Sequence, residues 1–398
     1  MVLLIMSAVT AMPSSGIRSV VRKLLITLLA QLSIPCVVSF LNLMGLLDAR
    51  SFLGIAFTFM GAKIDHAINR AAGPYVFKIN GQVYHRIGSL LPPEGEPPQF
   101  AELYIYDTDH EIDNRMRALD PSERLDDDLD RDIIGGLLHM LDQHNPLVQK
   151  FRMARDRIAE GETENVGTRI VGAREALMVL QYPLLFPYGE QGYQVGVTYS
   201  GVQPEPYVLH ADGRKVKPHV KVTMQDYYRY MFHYRRNQPN PYLCCGCLSS
   251  QAKVDARACI HQDRLDYVIN NQPKLRADYF QGLVDTVAGG ATDAESVGKR
   301  TYLPASHTGG RRYMLQNYHD AVAIARVHGP SDIFLTFTSN PKWPEVTEFL
   351  RFEPGQKYTD RADAVVRVYN MKLEELLGDI KNGSVFGPTN AALHSIES

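Results

Sequence analysis

At 398 residues, with 45% hydrophobic and 22% charged side chains, the chain has the make-up of an ordinary globular protein with core enough for two or three domains. A formal net charge of −2 excludes the broad electrostatic pull of a strongly basic nucleic-acid binder, so any DNA contact has to come from local patches. Five cysteines, an odd number with three of them between 244 and 247, exclude a disulfide framework and point to a reducing, intracellular setting.

The first 50 residues differ from the rest. Arg22-Lys23 precede Leu24 to Leu47, a stretch of 24 residues without a charge, long enough to span a bilayer, for which about 20 apolar residues suffice. Pro35 and the polar side chains of Thr27, Gln31, Ser33, Ser39 and Asn42 lower its transfer energy. A membrane segment, a secretory signal, a buried helix pair and an extension without selected structure all remain open. Next, YVFKINGQVY (75–84) alternates apolar residues on either side of Asn80-Gly81 and predicts a hairpin. LLPPEGEPP (90–98) is a Pro-rich connector and AELYIYDT (101–108) a second short strand. Residues 111–159 alternate charge with apolar side chains and predict helix. The acidic run Asp126-Asp127-Asp128 with Asp130 and Asp132 suits a solvated helix start better than a metal cluster. A boundary falls near 160, dividing a hydrophobic extension (1–50), a hairpin-and-helix region (51–160) and a third region (161–398).

Strand character returns at 193–198 and 216–224, long helices at 225–285, and a small-residue loop at 286–300. Asn317 to Val327 predicts a helix stopped by His328-Gly329-Pro330. Ile333, Leu335 and Phe337 alternate with Phe334, Thr336 and Thr338, the pattern of a strand covered on both faces. Ala362 to Lys381 predicts an amphipathic helix stopped by Asn382-Gly383.

Three clusters carry candidate chemistry. DYYRYMFHYRR (226–236) holds five aromatics and three arginines, the residue types that stack bases and neutralise phosphates on single strands. Helical spacing puts Tyr227, Tyr230, Met231 and Tyr234 on one inward face and leaves Arg229, Phe232, His233 and Arg236 for a partner. Lys299, Arg300, Arg311 and Arg312 flank the loop 301–310 as phosphate-binding candidates. Cys244, Cys247, Cys259 and His261 have C-x-x-C and C-x-H spacings that could hold zinc, but a helical register separates Cys259 from His261, and ordinary thiols are the alternative. No nucleophile elbow, nucleotide fingerprint or paired-carboxylate spacing is found, so neither a metal nor a cofactor is expected.

The stretch LPASHTGGRRYMLQNYHDAVAIARVHGPSDIFLTFTSNPKWPEV (303–346) resembles the helicase-like N-terminal region of Helitron transposases, the rolling-circle replication and helicase proteins. YVFKINGQVYHRIGSLLPPEGEPPQFAELYIYDTDHEIDNR (75–115), YPLLFPYGEQGY (182–193), DYYRYMFHYRR and DRLDYVINNQPKLRADYFQGLVD (263–285) are similar to the same family, with the best match over 225–388. The resemblance implies an α+β fold, rich in helix with short antiparallel strands, whose C-terminal part is an incomplete rolling-circle-initiator-like sheet with helices. In it FLTFTSNP would be the strand beside the catalytic one. Thr336 and Thr338 would face the metal or nucleotide, with Asn340, Pro341, Lys342 and Trp343 at the rim. The family's chemistry is cleavage and rejoining of one DNA strand. It requires two histidines flanking one residue to hold a divalent cation, a downstream tyrosine nucleophile, and a phosphate-cradling loop in the helicase. None of the 13 histidines has another two positions away, and Gly298-Lys299-Arg300-Thr301 lacks the hydroxyl directly after its lysine. The expectation is a truncated transposase region without nuclease or ATPase chemistry, acting in the nucleus on single-stranded or transposon-end DNA. The alternatives are a non-catalytic interaction or regulatory protein derived from a transposon and a decayed gene product.

Overall fold

A computed structural model of the chain describes residues 54–64, 79–86, 91–119, 131–161, 177–201, 208–209, 215–216, 220–235, 240–272, 301, 303–351 and 357–395. The described elements are, in order, β1 (Phe59–Ile64), β2 (Ile79–Arg86), α1 (Glu111–Leu119), α2 (Arg131–His144), α3 (Pro146–Ala159), α4 (Leu177–Gln181), β3 (Val208–Leu209), β4 (Lys215–Val216), α5 (Met224–Met231), α6 (Pro241–Cys244), α7 (Gly246–Asn270), α8 (Arg311–His328), α9 (Pro344–Leu350) and α10 (Ala362–Asn382). Two compact units are distinguished: Met1–Cys259 with Phe352–Arg361, and Ile260–Arg351 with Ala362–Ser398.

The expected α+β class is overturned. The chain is helix-rich, and its described strands form only two isolated antiparallel pairs, β1–β2 and the two-residue β3–β4. No larger sheet exists among the described residues, and the C-terminal part contains no strand there. The Asn80-Gly81 hairpin is also corrected. Both residues lie inside β2, where Asn80 pairs with Lys63 of the preceding strand. Between the pairs Gly61↔Tyr84 and Lys63↔Asn80, the stretch Gly81 to Val83 lies opposite Ala62 alone, so glycine serves a strand irregularity rather than a turn. AELYIYDT likewise forms no strand. A single 3-10 turn spans Phe100–Tyr104, and Glu102 turns back to accept the Gln99 N–H at 2.9 Å. Asp107 then takes a left-handed conformation, φ 47°, which interrupts any extended run.

The core of the first unit is built on α2, α3 and the 177–187 segment. Ile134, Leu137, Leu138 and Leu141 recur at helical spacing on α2 and are all buried. The corner into α3 is made by Asn145 and Pro146: Asn145 Oδ1 accepts from Leu147 N–H (2.9 Å) and Val148 N–H (3.4 Å), and proline fits the first helical position. Asn145 Nδ2 donates to the Phe186 carbonyl at 3.3 Å. Gly189 must be glycine there: its φ is +59° and a Cβ would lie 2.9 Å from Asn145 Oδ1. Every residue from 177 to 187 is buried, and Phe57 N–H donates to Leu180 O at 3.0 Å.

Tyr104 anchors the same core. Its ring stacks on Phe57 at 4.4 Å, and Phe57 stacks on Phe151 at 4.8 Å. Its hydroxyl donates to the Ile55 carbonyl at 2.6 Å. Burial pushes this phenol up to about 12, so it stays neutral although two guanidiniums lie on it, Arg115 at 4.1 Å and Arg152 at 5.4 Å from the ring centre. Arg115, fully buried, donates to Glu111 Oε1 through Nε (2.9 Å) and Nη2 (2.5 Å) and to the Gly54 carbonyl through Nη1. Arg152 reaches Glu111 Oε2 at 2.7 Å, Asp142 Oδ1 at 3.0 Å and the Tyr104 carbonyl at 3.0 Å. Every buried charge in this group has an opposite partner, as burial demands.

In the second unit, α9 packs on α10 over the fully buried Val346. Phe337 stacks on Trp343 at 5.9 Å and on Tyr369 of α10 at 5.3 Å, and Tyr369 Oη donates to the Phe337 carbonyl at 3.4 Å. Lys372 Nζ pairs with Glu345 at 2.7 Å and sits 5.4 Å from the Trp343 ring centre. The predicted helices hold: 317–327 falls within α8, and Ala362 to Lys381 is α10 less its last residue. The predicted strand at 333–338 does not. The segment forms no ladder, the N–H groups of Ile333 through Thr338 have no partner among the described residues, and Phe334 is 94% exposed. A pattern that is apolar on both faces becomes a strand only where neighbours pair its main chain.

Candidate nucleic-acid interface

The segment 226–236 forms helix α5 and the turn after it. Thr223 caps the helix, its Oγ1 accepting the Asp226 N–H at 3.1 Å, and Asp226 Oδ2 in turn accepts from Tyr199 Oη at 3.0 Å. The Thr223 hydroxyl hydrogen bond is the main reason the Asp226 carboxyl stays below the usual carboxylate range, so it remains an anion beside Arg229, 3.8 Å away. Behind the helix the aromatics interlock. Tyr228 stacks on Phe232 at 6.0 Å, Phe232 meets Tyr242 edge-on at 6.1 Å, Tyr242 packs on Phe186 at 5.1 Å, and Tyr227 lies 6.0 Å from Tyr193. Tyr227 Oη donates to the Gln191 carbonyl at 3.2 Å.

This departs in part from the face expected from spacing: Tyr227 and Met231 turn inward and Arg229 and His233 outward as expected, but Tyr230 and Tyr234 face out and Phe232 in. Tyr228 is buried, Tyr227 and Phe232 are half-buried, and Tyr230 and Tyr234 are 65% and 41% exposed. The reason is length: α5 ends at Met231, so no seventh position exists to complete the assumed stripe. Arg229 projects to solvent with 70% of its side chain exposed. Arg235 covers Tyr230, its guanidinium carbon 3.8 Å from the ring centre and its Nη2 donating to the Tyr230 carbonyl at 2.5 Å. Arg235 and Tyr230 are the pair that spacing alone missed. No regular spacing signals this pair, because Arg235 lies beyond the helix end at Met231 and outside its register.

The other candidates are scattered. Arg236, Lys299 and Arg300 lie outside the described residues. Arg311 and Arg312 are exposed in the first turn of α8. Lys342 and Asn340 are exposed, and Asn340 serves the local turn, Oδ1 accepting the Lys342 N–H at 2.9 Å and its carbonyl accepting the Trp343 N–H at 3.1 Å. Pro341 and Trp343 are half-buried beneath that turn, and Thr336 and Thr338 are exposed rather than set on a sheet.

The metal chemistry of the resemblance does not fit the residues present. The sequence holds no histidine pair around a single residue, and among the described residues no group of three His, Cys, Asp or Glu is arranged for a metal ion. Burial raises Tyr104, Tyr182, Tyr227, Tyr228 and Tyr242 above the ordinary phenol range, the reverse of what an attacking phenolate needs. In the zinc candidate, the side chains of Cys244 and Cys247 lie outside the description. Cys259 is a thiol that burial pushes up to about 12, disfavouring the thiolate that zinc requires. A shallow cleft beside α1 and α2 is lined by Asp109, His110, Asp113, Arg131 and His139. Asp113 there is taken by Arg131, and His110 Nδ1 by Asp107 at 2.9 Å. Among the described residues no helix is long and apolar enough to cross a membrane, and Leu24 to Leu47 lies outside them.

Comparison with known proteins adds one finding. No curated protein and no solved structure matches the chain. Residues 227–398 match the family described as "Helitron helicase-like domain at N-terminus", a span that opens on Tyr227, the second residue of the aromatic and arginine segment. From Tyr227 to Ser398 the chain therefore matches a Helitron helicase-like domain, which suggests a transposon-related protein.

Proposed function

We propose that this chain serves rolling-circle transposition as a strand-holding region, gripping single-stranded or transposon-end DNA, in the nucleus, without cutting it. The observation that carries the reading is the outer side of α5 and the turn after it, where Arg229, Tyr230, Tyr234 and Arg235 present cations beside exposed rings at the start of the Helitron match. Rings stack unpaired bases and guanidiniums take phosphates without sequence preference. A formal net charge of −2 requires such a local patch, because the protein as a whole does not attract DNA. The test is fluorescence anisotropy of a labelled single-stranded oligonucleotide across a salt series. Binding that weakens with a log–log slope of about −0.7 per neutralised phosphate supports the reading. No binding at low salt overturns it.

A second reading, a non-catalytic interaction protein, is favoured by a different observation. Helix α8 has no buried residue, and Met314, Leu315, Tyr318, Ile333, Phe334 and Leu335 all expose about half or more of their surface, unusual for residues of this kind in one unit. A monomer in analytical ultracentrifugation that binds no oligonucleotide and retains a protein partner would favour that reading.

A further inference from the structure

We propose that Tyr230 is a stacking platform for one unpaired nucleobase, with Arg235 lying against one face of its ring and the opposite face left for the base. The proposal rests on the DNA-holding reading above and gives that surface its ligand class: a flexible, unpaired strand rather than a duplex.

Three observations combine. First, the Arg235 guanidinium lies 3.8 Å from the ring centre of Tyr230, and its Nη2 is tied to the Tyr230 carbonyl at 2.5 Å, so one face of the ring is covered by a fixed cation. Second, Tyr230 nevertheless exposes 65% of its surface, so most of the residue outside the Arg235 contact is open to solvent. Third, the helix beneath is held rigidly. Tyr228 on the inner side is 5% exposed and packs on Phe232, and the Thr223 cap fixes the helix start. A free tyrosine in water would have to be ordered before a base could lie on it. Here the ring is already oriented, and pre-organisation of this kind reduces the entropy lost on binding. A cation on the far side polarises the ring, while Arg229, 70% exposed on the same helix, stands available for the adjoining phosphate. Bases inside a duplex already stack on one another and offer no free face, so the platform selects unpaired strands.

The experiment uses the full chain with a labelled 12-nucleotide thymidine strand, a duplex of the same length, and a 12-unit abasic strand with the same phosphates. Tyr230→Leu is expected to weaken thymidine-strand binding about ten- to a hundred-fold, the scale of one base–ring stack. Tyr230→Phe and Tyr230→Trp are expected to bind within about two-fold of wild type, since both keep a ring to stack on. On the abasic strand Tyr230→Leu and wild type should bind alike, because no base is present to stack. Arg229→Ala should instead make the salt dependence shallower by about 0.7 in slope on either single strand. Because Tyr230 is exposed, its replacement leaves the fold intact, which far-UV circular dichroism checks. If wild type binds the thymidine strand with steep salt dependence and Tyr230→Leu binds equally well, the platform is wrong while the DNA-holding reading survives. If Tyr230→Leu loses as much affinity for the abasic strand as for thymidine, the ring acts on the backbone and stacking is excluded. If wild type binds neither strand, both readings fall together.

Discussion

Replacing Glu111 by Gln should destabilise the first unit more than replacing the arginine it faces, although both changes break the same ion pair. Glu111 is the one carboxylate shared by Arg115 and Arg152, at 2.5 Å and 2.7 Å. Without its charge, Arg152 keeps Asp142 at 3.0 Å, whereas Arg115, fully buried, is left with a carbonyl and the face of Tyr104. Removing one partner of a buried pair costs about 3 to 5 kcal/mol, and the lower end applies because Gln keeps the volume and one acceptor. In Arg115→Met, Glu111 remains compensated by Arg152. The losses are then a hydrogen bond to Gly54 and a cation–π contact, together about 2 kcal/mol. The double variant should fall short of the sum by about 1 to 2 kcal/mol, since the stranded guanidinium no longer exists. Urea unfolding followed by far-UV circular dichroism reads the order directly. With a slope of about 3 kcal/mol per molar, Glu111→Gln moves the midpoint down by roughly 1 M. Equal costs for the two single variants, or strict additivity in the double, would refute the argument that an uncompensated Arg115 dominates.

Asp255 is buried, and burial raises its carboxyl above the usual range although Tyr182, Gln181 and Gln251 all donate to it. The folded state therefore holds that proton more tightly than the unfolded one, so its contribution is complete at acid pH and is lost as pH rises from about 4 through the folded value. Urea midpoints of wild type minus Asp255→Asn should decline over that window, and a difference constant with pH would contradict the assignment. Cys259, a thiol pushed up to about 12 by burial, should be alkylated by iodoacetamide at pH 8 at least about ten times more slowly in native than in urea-unfolded protein, as judged by peptide mass spectrometry. Equal rates would show the thiol to be accessible. Trp343 is the chain's single tryptophan and is stacked by Phe337, so Phe337→Ala should red-shift its emission and increase iodide quenching. An unchanged spectrum would mean the ring contact is absent.

Helices were legible in the sequence wherever their apolar spacing was long and their ends were marked. Ala362 to Lys381 shows both, and the helix found, Ala362–Asn382, runs one residue further, up to Gly383. The strands were not legible, because alternation states only that both faces of an extended chain will meet apolar neighbours. It does not state where the pairing strand comes from. YVFKINGQVY alternates as a hairpin would, yet β2 runs straight through Asn80-Gly81 and pairs with residues 59–64, which carry no distinctive alternation. AELYIYDT fails for another reason: Glu102 can reach the Gln99 N–H, and this local bond, made without any partner strand, wins over extension. The Arg115–Glu111–Arg152 group was invisible in principle, since it joins residues up to 41 apart whose types are common on any surface.

The outward ring shows why composition marks the candidate segment while periodicity misassigned part of its face. Five aromatics and three arginines in eleven residues mark a segment able to contact bases and phosphates in whatever conformation it takes, and that part of the inference depends only on residue type. Choosing which ring faces out depends on where the helix stops. A stripe at i, i+3, i+4 and i+7 presumes two full turns counted from Tyr227, but α5 ends at Met231, about one turn after it and before Tyr234 can join. With the last position removed, Tyr228 and Phe232, four apart, form the better inward pair because Tyr242 and the 182–193 turn lie ready to cover them. Tyr230 is then displaced to solvent, and Arg235, freed from helical geometry by the turn, folds over it. The same logic governs IFLTFT. Its pattern is that of a covered strand, its N–H groups have no partner among the described residues, and Phe334 stands in water, so burial in this region follows from pairing and not from the apolar pattern alone.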